Sequence, residues 1–190
     1  MPSIRVSLPS NRSYYGQLTL LDDQGITLSG PFAVLGRADA KTAADQGNPG
    51  RSTILPYGDT PTGDFRVDGF QQAGDQDDIQ RHGPYGKIKL TPISGEAKLA
   101  KDNGRTGLQI HGGVLSSAGA LRPTNGCLRL TNDDMLTLLT AIITSTTPPS
   151  TCSVSQIDTQ IGGPSPGSDG VDDGDPPADP EPVTAMPNLP

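Results

Sequence analysis

Two side chains in the stretch LQIHGGVLSSAGALRPTNGCLRLTNDD, residues 108–134, could carry out covalent chemistry. They are His111 and, sixteen positions later, Cys127. Each sits beside glycine, in IHGG and TNGCLRL. Gly126 lets the chain bend tightly next to Cys127, so that the amides of Asn125, Gly126 and Cys127 can point at one spot as an oxyanion hole. An imidazole nearby would take the thiol proton, because the thiolate is the attacking form. The second ring nitrogen of His111 needs an acceptor to fix it, and a backbone carbonyl of the HGG turn would serve. Arg129, two positions past the cysteine, could pair with a substrate carboxylate. The bland alternative is a small buried cysteine and a polar surface histidine. The residues of this stretch by themselves leave both open.

The elements that must position them read mostly as strands. IRVSL (4–8) alternates apolar and polar, and GQLTLLDDQGITLSG (16–30) reads as a hairpin about DDQG. Residues 39–56 are polar around GNPGRS and read as a long loop, and GDTPTGDFRVDGF (58–70) as a turn entering a strand. GKIKLTPI (86–93) and TGLQIHGG (106–113) alternate again. In the latter, Leu108 and Ile110 share one face, so His111 leaves by the other. A helix follows the cysteine in TNDDMLTLLTAIITS: Thr131 or Asn132 caps it, Asp133 and Asp134 suit its first turn, and Met135, Leu138, Leu139 and Ile142 recur at helical spacing.

Composition separates a body from a tail. In 190 residues only 32% are hydrophobic, and ten of the 19 prolines lie from Pro148 onward. No Lys or Arg follows Arg129, whereas seven acids lie from Asp158 on. Taking those seven from 21 leaves 14 acids against 14 bases in residues 1–157, so the net charge of −7 belongs to the tail. A neutral body has no excess of cations for phosphates, which argues against a nucleic-acid partner. No 18-residue apolar run is present to span a membrane, and the N-terminus lacks the charged and apolar regions of a secretory signal. Residues 1–147 are therefore expected to fold as one domain and 148–190 to be a disordered or extended acidic tail.

The remaining candidates are weaker. His82 in QRHGPYG reads as a loop residue, and Tyr85 as the better site-lining side chain because its ring and hydroxyl suit an amphipathic surface. The DQDD run (75–78) lacks the spacing of a calcium loop and reads as a solvated turn. Cys152 stands in a polar context at the expected start of the tail and reads as a bystander thiol. Two Cys and two His this scattered do not make a metal cluster, and no cofactor is expected.

IHGG followed by TNGCLRL resembles the signature of the L,D-transpeptidase (YkuD-like) catalytic domain: His-Gly, a gap of some fifteen residues, then Ser/Thr, any residue, Gly-Cys, an apolar residue, and Arg or Asn. GDTPTGDF resembles that family's TPxGxF segment, and HGPYGKIKL its GxxG strand entry. The resemblance runs over residues 14–145, in order, and leaves the tail unmatched. It implies a mostly β, sandwich-like or barrel-like domain with Cys127 as nucleophile and His111 as its base. It further implies that Gly112 offers the orienting carbonyl, Thr124 the hydroxyl position and Arg129 the substrate-binding arginine. Many members carry His where this chain has Asn125, which leaves that side chain without an assigned role.

The activity implied is attack on the L,D amide bond before the terminal D-Ala of a peptidoglycan tetrapeptide stem, through a thioester, in the periplasm or cell wall. An amine acceptor gives a cross-link, a D-amino acid gives exchange, and water gives L,D-carboxypeptidase action. The lack of a signal as written fits either a trimmed wall enzyme or an effector exported by a route such as type VI secretion. An effector would have an immunity protein and a secretion-machinery carrier as partners. The competing classes are a non-catalytic wall-binding or adaptor module on the same fold and a cysteine peptidase of unrelated fold.

Overall fold

The structure, a computed structural model, describes residues 1–158. Eight strands form one sheet: β1(Ser3–Pro9), β2(Gly16–Leu21), β3(Thr27–Val34), β4(Gly63–Gln71), β5(Lys87–Pro92), β6(Gln109–His111), β7(Leu128–Arg129) and β8(Thr151–Ile157). Their order across the sheet is β3-β2-β1-β8-β4-β5-β6-β7. The ends nearly close on each other, because Leu35, just past β3, exchanges two backbone hydrogen bonds of 2.9 Å with Arg129 of β7. The expected mostly β, barrel-like architecture is thus the one found.

Alternation sorts the side chains as expected from the sequence. Ile4, Val6 and Leu8 of β1 are fully buried, each contributing roughly 2 kcal/mol by leaving water. They meet Leu18 and Leu20 of β2, Phe65, Ile110, Leu128 and Leu130 in one core. The β2–β3 hairpin turns where expected: Asp22 Oδ1 accepts from the N–H groups of Gln24 and Ile26 at 2.9 and 2.8 Å, and Gly25 takes φ +82°. Helix α4(Asn132–Thr144) also appears as read, with Thr131 Oγ1 accepting from Asp134 N–H at 3.1 Å. Its Met135, Leu138 and Leu139 close one face of the core.

Three short helices were not expected: α1(Ala40–Asp45), α2(Gln76–His82) and α3(Gly95–Asp102). They bury little, α2 nothing and α3 only Ala97 and Ala100, so no apolar stripe announces them. The DQDD run is the start of α2 rather than a solvated turn. Asp75 caps the helix, Asp77 and Asp78 sit in its first turn, and Arg81 and His82 in its last, each sign matching the helix dipole.

The largest correction concerns the segment after Thr147. Residues 151–157 are not tail but strand β8, which joins the two halves of the sheet. It pairs in parallel with β1 over Ser3–Pro9 and antiparallel with β4 over Gly63–Arg66. Cys152, opposite both Ile4 and Phe65, is fully buried, so it is a core residue rather than a bystander. Proline and serine at 148–150 disguise a strand that alternates Cys152, Val154 inward against Thr151, Ser155 outward. The acidic run expected to form the tail from 159 on lies outside the described residues.

Candidate active site

The register of β6 and β7 brings the sequence candidates together. The two strands are parallel, with Ile110 opposite Leu128 and His111 opposite Arg129. Ile110 and Leu128 turn into the core. Their neighbours Gln109 and His111 on β6, and Cys127 and Arg129 about β7, therefore share the other face. Strand rise and spacing put Cys127 and His111, two steps apart along adjacent strands, roughly 8 Å apart at Cα.

His111 is only 3% exposed. Its Nδ1 lies 2.7 Å from the carbonyl of Gly112, which can only accept, so Nδ1 carries the proton and Nε2 is left as a base. Burial pushes its pKa well below the ordinary value, and the charges of His82 and Arg129 push the same way. The ring is neutral at neutral pH.

Cys127 is half-buried, its Sγ 3.6 Å from the Gly107 carbonyl. The protein crowding the sulfur raises its pKa, against the opposing pull of the Gln109 N–H and of Arg105, Lys87 and Arg129. The resting pair is thus thiol and neutral imidazole, not thiolate and imidazolium.

The turn carrying Cys127 is held from three sides. Thr124 Oγ1 accepts from Gly126 N–H at 2.9 Å and donates to the Cys127 carbonyl at 3.2 Å. The carbonyl of Gly126 accepts from Thr60 Oγ1 at 2.8 Å and from Arg105 Nη2 at 3.3 Å. Arg105 also donates to the carbonyls of Thr53, Gly58, Asp59 and Asn125. Gly126 takes φ +94°, and a Cβ there would run into Arg105 Nη2 and the Gly58 carbonyl, so glycine is required. Thr60 belongs to TPTGDF, and its bond gives that motif a physical role, buttressing the cysteine turn from 66 residues away.

These bonds redistribute the roles expected from sequence. Among the three amides expected in the oxyanion hole, that of Gly126 is engaged by Thr124. The Thr124 hydroxyl itself bonds within the turn. Arg129 is 2% exposed and donates to the carbonyls of Val114 and Arg122 at 2.9 and 3.4 Å, bracing the loop after His111. Gly113, φ +128°, lets that guanidinium lie against its backbone, while Asn132 Oδ1 accepts from Gly113 N–H at 2.8 Å. Tyr85 is 36% exposed in the turn between α2 and β5.

Sequence reasoning passed over several residues here. His82, read as a loop residue, ends α2 and packs edge-on against His111, ring centroids 4.7 Å apart at 82°. Its Nδ1 lies 2.6 Å from Asp78 Oδ1, which also accepts from the buried Lys87 at 3.0 Å. Burial alone would raise the Asp78 pKa, yet the Gly74 N–H, Lys87 and His82 hold it at about 2. The Asp78–His82 spacing of four, one helical turn, was the available signal. Arg105 offered none, because all its partners are backbone carbonyls.

No curated protein matches the chain. The family model of the L,D-transpeptidase catalytic domain (YkuD) matches residues 2–152, from the first strand to Cys152 in the last. The match takes in β1 to β7, the start of β8 and the whole cysteine–histidine face, and the chain belongs to the L,D-transpeptidase (YkuD) catalytic domain family of peptidoglycan-modifying enzymes.

Proposed function

We propose that the chain cleaves the L,D amide bond before the terminal D-Ala of peptidoglycan tetrapeptide stems by way of a thioester on Cys127. The observation that carries this reading is the fixed tautomer of His111: Nδ1–H bound to Gly112, Nε2 unprotonated, on the face shared with Cys127. As sulfur attacks the carbonyl carbon, Nε2 takes the thiol proton. The Cys127 amide meets the developing oxyanion. When the C–N bond breaks, His111 returns the proton to the leaving D-Ala amine, and the acyl group stays on sulfur. A second amine or water then attacks the thioester, gives its proton to His111, and expels the thiolate, which takes that proton back from His111.

Arg129 and Thr124 support this site by holding backbone, and His82 by packing on the imidazole. Tyr85, exposed between α2 and β5, is the side chain we assign to contact with a stem peptide. Incubation with purified tetrapeptide muropeptides tests the reading by mass spectrometry of the products. Loss of D-Ala, cross-linked dimer or exchanged D-amino acid is expected, and absent in Cys127→Ala. Binding without turnover would instead support the adaptor module.

The effector role, with an immunity protein and a secretion carrier, rests on the family resemblance. Expression behind a periplasmic leader decides it: Cys127-dependent growth arrest supports an effector, and normal growth removes that role.

A further inference from the structure

Arg105 is heavily engaged beside the cysteine turn, although it lies outside every motif. It is 3% exposed, and its two terminal nitrogens donate to five carbonyls. Three of them, of Thr53, Gly58 and Asp59, belong to the loop before β4, and two, of Asn125 and Gly126, to the cysteine turn. A planar fork with fixed donor directions holds these two backbone segments in one geometry, which a lysine ammonium could not reproduce. When the carbonyls of residues 125 and 126 point inward to the guanidinium, the N–H that follows, that of Cys127, is turned the other way.

We propose that Arg105 is the positioning residue of the nucleophile turn, aiming the Cys127 amide at the oxyanion and holding a buried cation against the turn that carries the sulfur. The proposal rests on the acyl-transfer reading for the first of these effects and not for the second. Burial draws the Arg105 pKa down to about 10, opposed by Cys127 and Asp59, so the guanidinium keeps its charge at neutral pH. Among the cations lowering the Cys127 pKa it acts more strongly than Lys87 or Arg129. Arg129, expected from sequence as the partner of a substrate carboxylate, acts on the sulfur in the same direction but more weakly.

Two variants of the full chain separate the effects, with circular dichroism confirming that each is folded. Arg105→Lys keeps the charge and loses the fork. On tetrapeptide its kcat should fall at least about tenfold while KM stays within about threefold, because an oxyanion donor acts in the transition state. Arg105→Gln loses the charge, and alkylation of Cys127 by iodoacetamide at pH 8 should slow by about threefold or more, as the thiolate fraction drops. Cys152 is buried, so labelling of the folded chain reports Cys127. A merely structural arginine would lower stability and leave both readouts at wild-type values in the folded fraction, and that result overturns the proposal.

If the wild-type chain fails to turn over tetrapeptide, the proposed function is lost, yet the alkylation series still tests the cation. Should both arginine variants fail to fold, Thr60→Val removes the other donor to the Gly126 carbonyl and leaves the guanidinium in place. It should lower kcat without moving the pH profile of alkylation. An unchanged kcat in Thr60→Val would remove the claim that carbonyl clamping aims the turn.

Discussion

The two ends of the sheet are held together by different means. At one end, β1, β2 and the first half of β8 bring Ile4, Val6, Leu8, Leu18, Leu20, Cys152 and Val154 into contact, an apolar set carried on laddered strands. At the other, β6 and β7 are three and two residues long, too short to hold themselves. There the buried side chains include Lys87, Arg105, His111 and Arg129, and the bonds run from cations to backbone carbonyls. The first arrangement yields stability, since apolar area removed from water needs no exact partner. The second yields geometry: a buried guanidinium tolerates only the positions that satisfy its donors. A site that must aim one amide and one imidazole is built from the second kind of interaction and anchored on the first.

The strand that joins the two ends offers the harshest test of this division. Truncation after Thr147 deletes β8, exposing the edges of β1 and β4 and one wall of the core. Loss of the cooperative thermal transition is expected in circular dichroism, and a melting temperature near that of the full chain would contradict the topology.

Next come paired substitutions, one at each end. Leu18→Ala should cost about 3 kcal/mol in urea unfolding while the folded fraction keeps its turnover. Gly126→Ala should reduce turnover about a hundredfold or more even under conditions where the chain stays folded, because a Cβ there displaces Arg105 or Gly58. Equal losses of activity per folded molecule in the two variants would erase the distinction.

Acid separates the ends further. His111 has a folded pKa below its ordinary value, so below about pH 6.5 the unfolded chain binds the extra proton and stability falls as pH drops, by up to about 1.4 kcal/mol per pH unit. Asp78 acts lower: its contribution is present above about 3.8 and is lost as pH falls towards about 2. His111→Gln should flatten the urea midpoint between pH 6.5 and 5 and leave the lower window in place. A wild-type midpoint constant across pH 6.5 to 5 would mean that the imidazole is not buried as described.

The smallest effect is expected at Cys152. Burial pushes its thiol up to about 12, so it stays protonated and unreactive. Cys152→Ser should cost about 1–2 kcal/mol for a hydroxyl in an apolar site, with tetrapeptide turnover unchanged. A labelling stoichiometry of two per folded wild-type chain would contradict its place in the core.

Much of the apolar end was legible in the sequence because period-two alternation is itself the signal: β1, the β2–β3 hairpin and α4 lie where their patterns put them. At the candidate site, His111 and Cys127 stood out in the sequence because the glycines beside them report backbone that must bend or approach closely. Strand β8 was hidden by prolines 148 and 149 and by serines filling its outward positions. α2 was hidden because it buries nothing, and with it His82, whose contact with His111 depends on how the chain packs. Arg105 and Thr60 were illegible for another reason. Their partners are carbonyls, which every residue has, so no residue type at the far end reveals the bond. The same reason hid the bonds of Arg129 to the carbonyls of Val114 and Arg122.

The central claim is that Cys127 carries the acyl group while His111 moves the proton. Intact-protein mass spectrometry during reaction with tetrapeptide tests it most directly. A transient adduct equal to the stem minus its terminal D-Ala is predicted, located on the peptide containing Cys127. It should be absent in Cys127→Ala and accumulate far more slowly in His111→Gln. D-Ala release without any adduct on Cys127, or release that persists in Cys127→Ala, would contradict the claim.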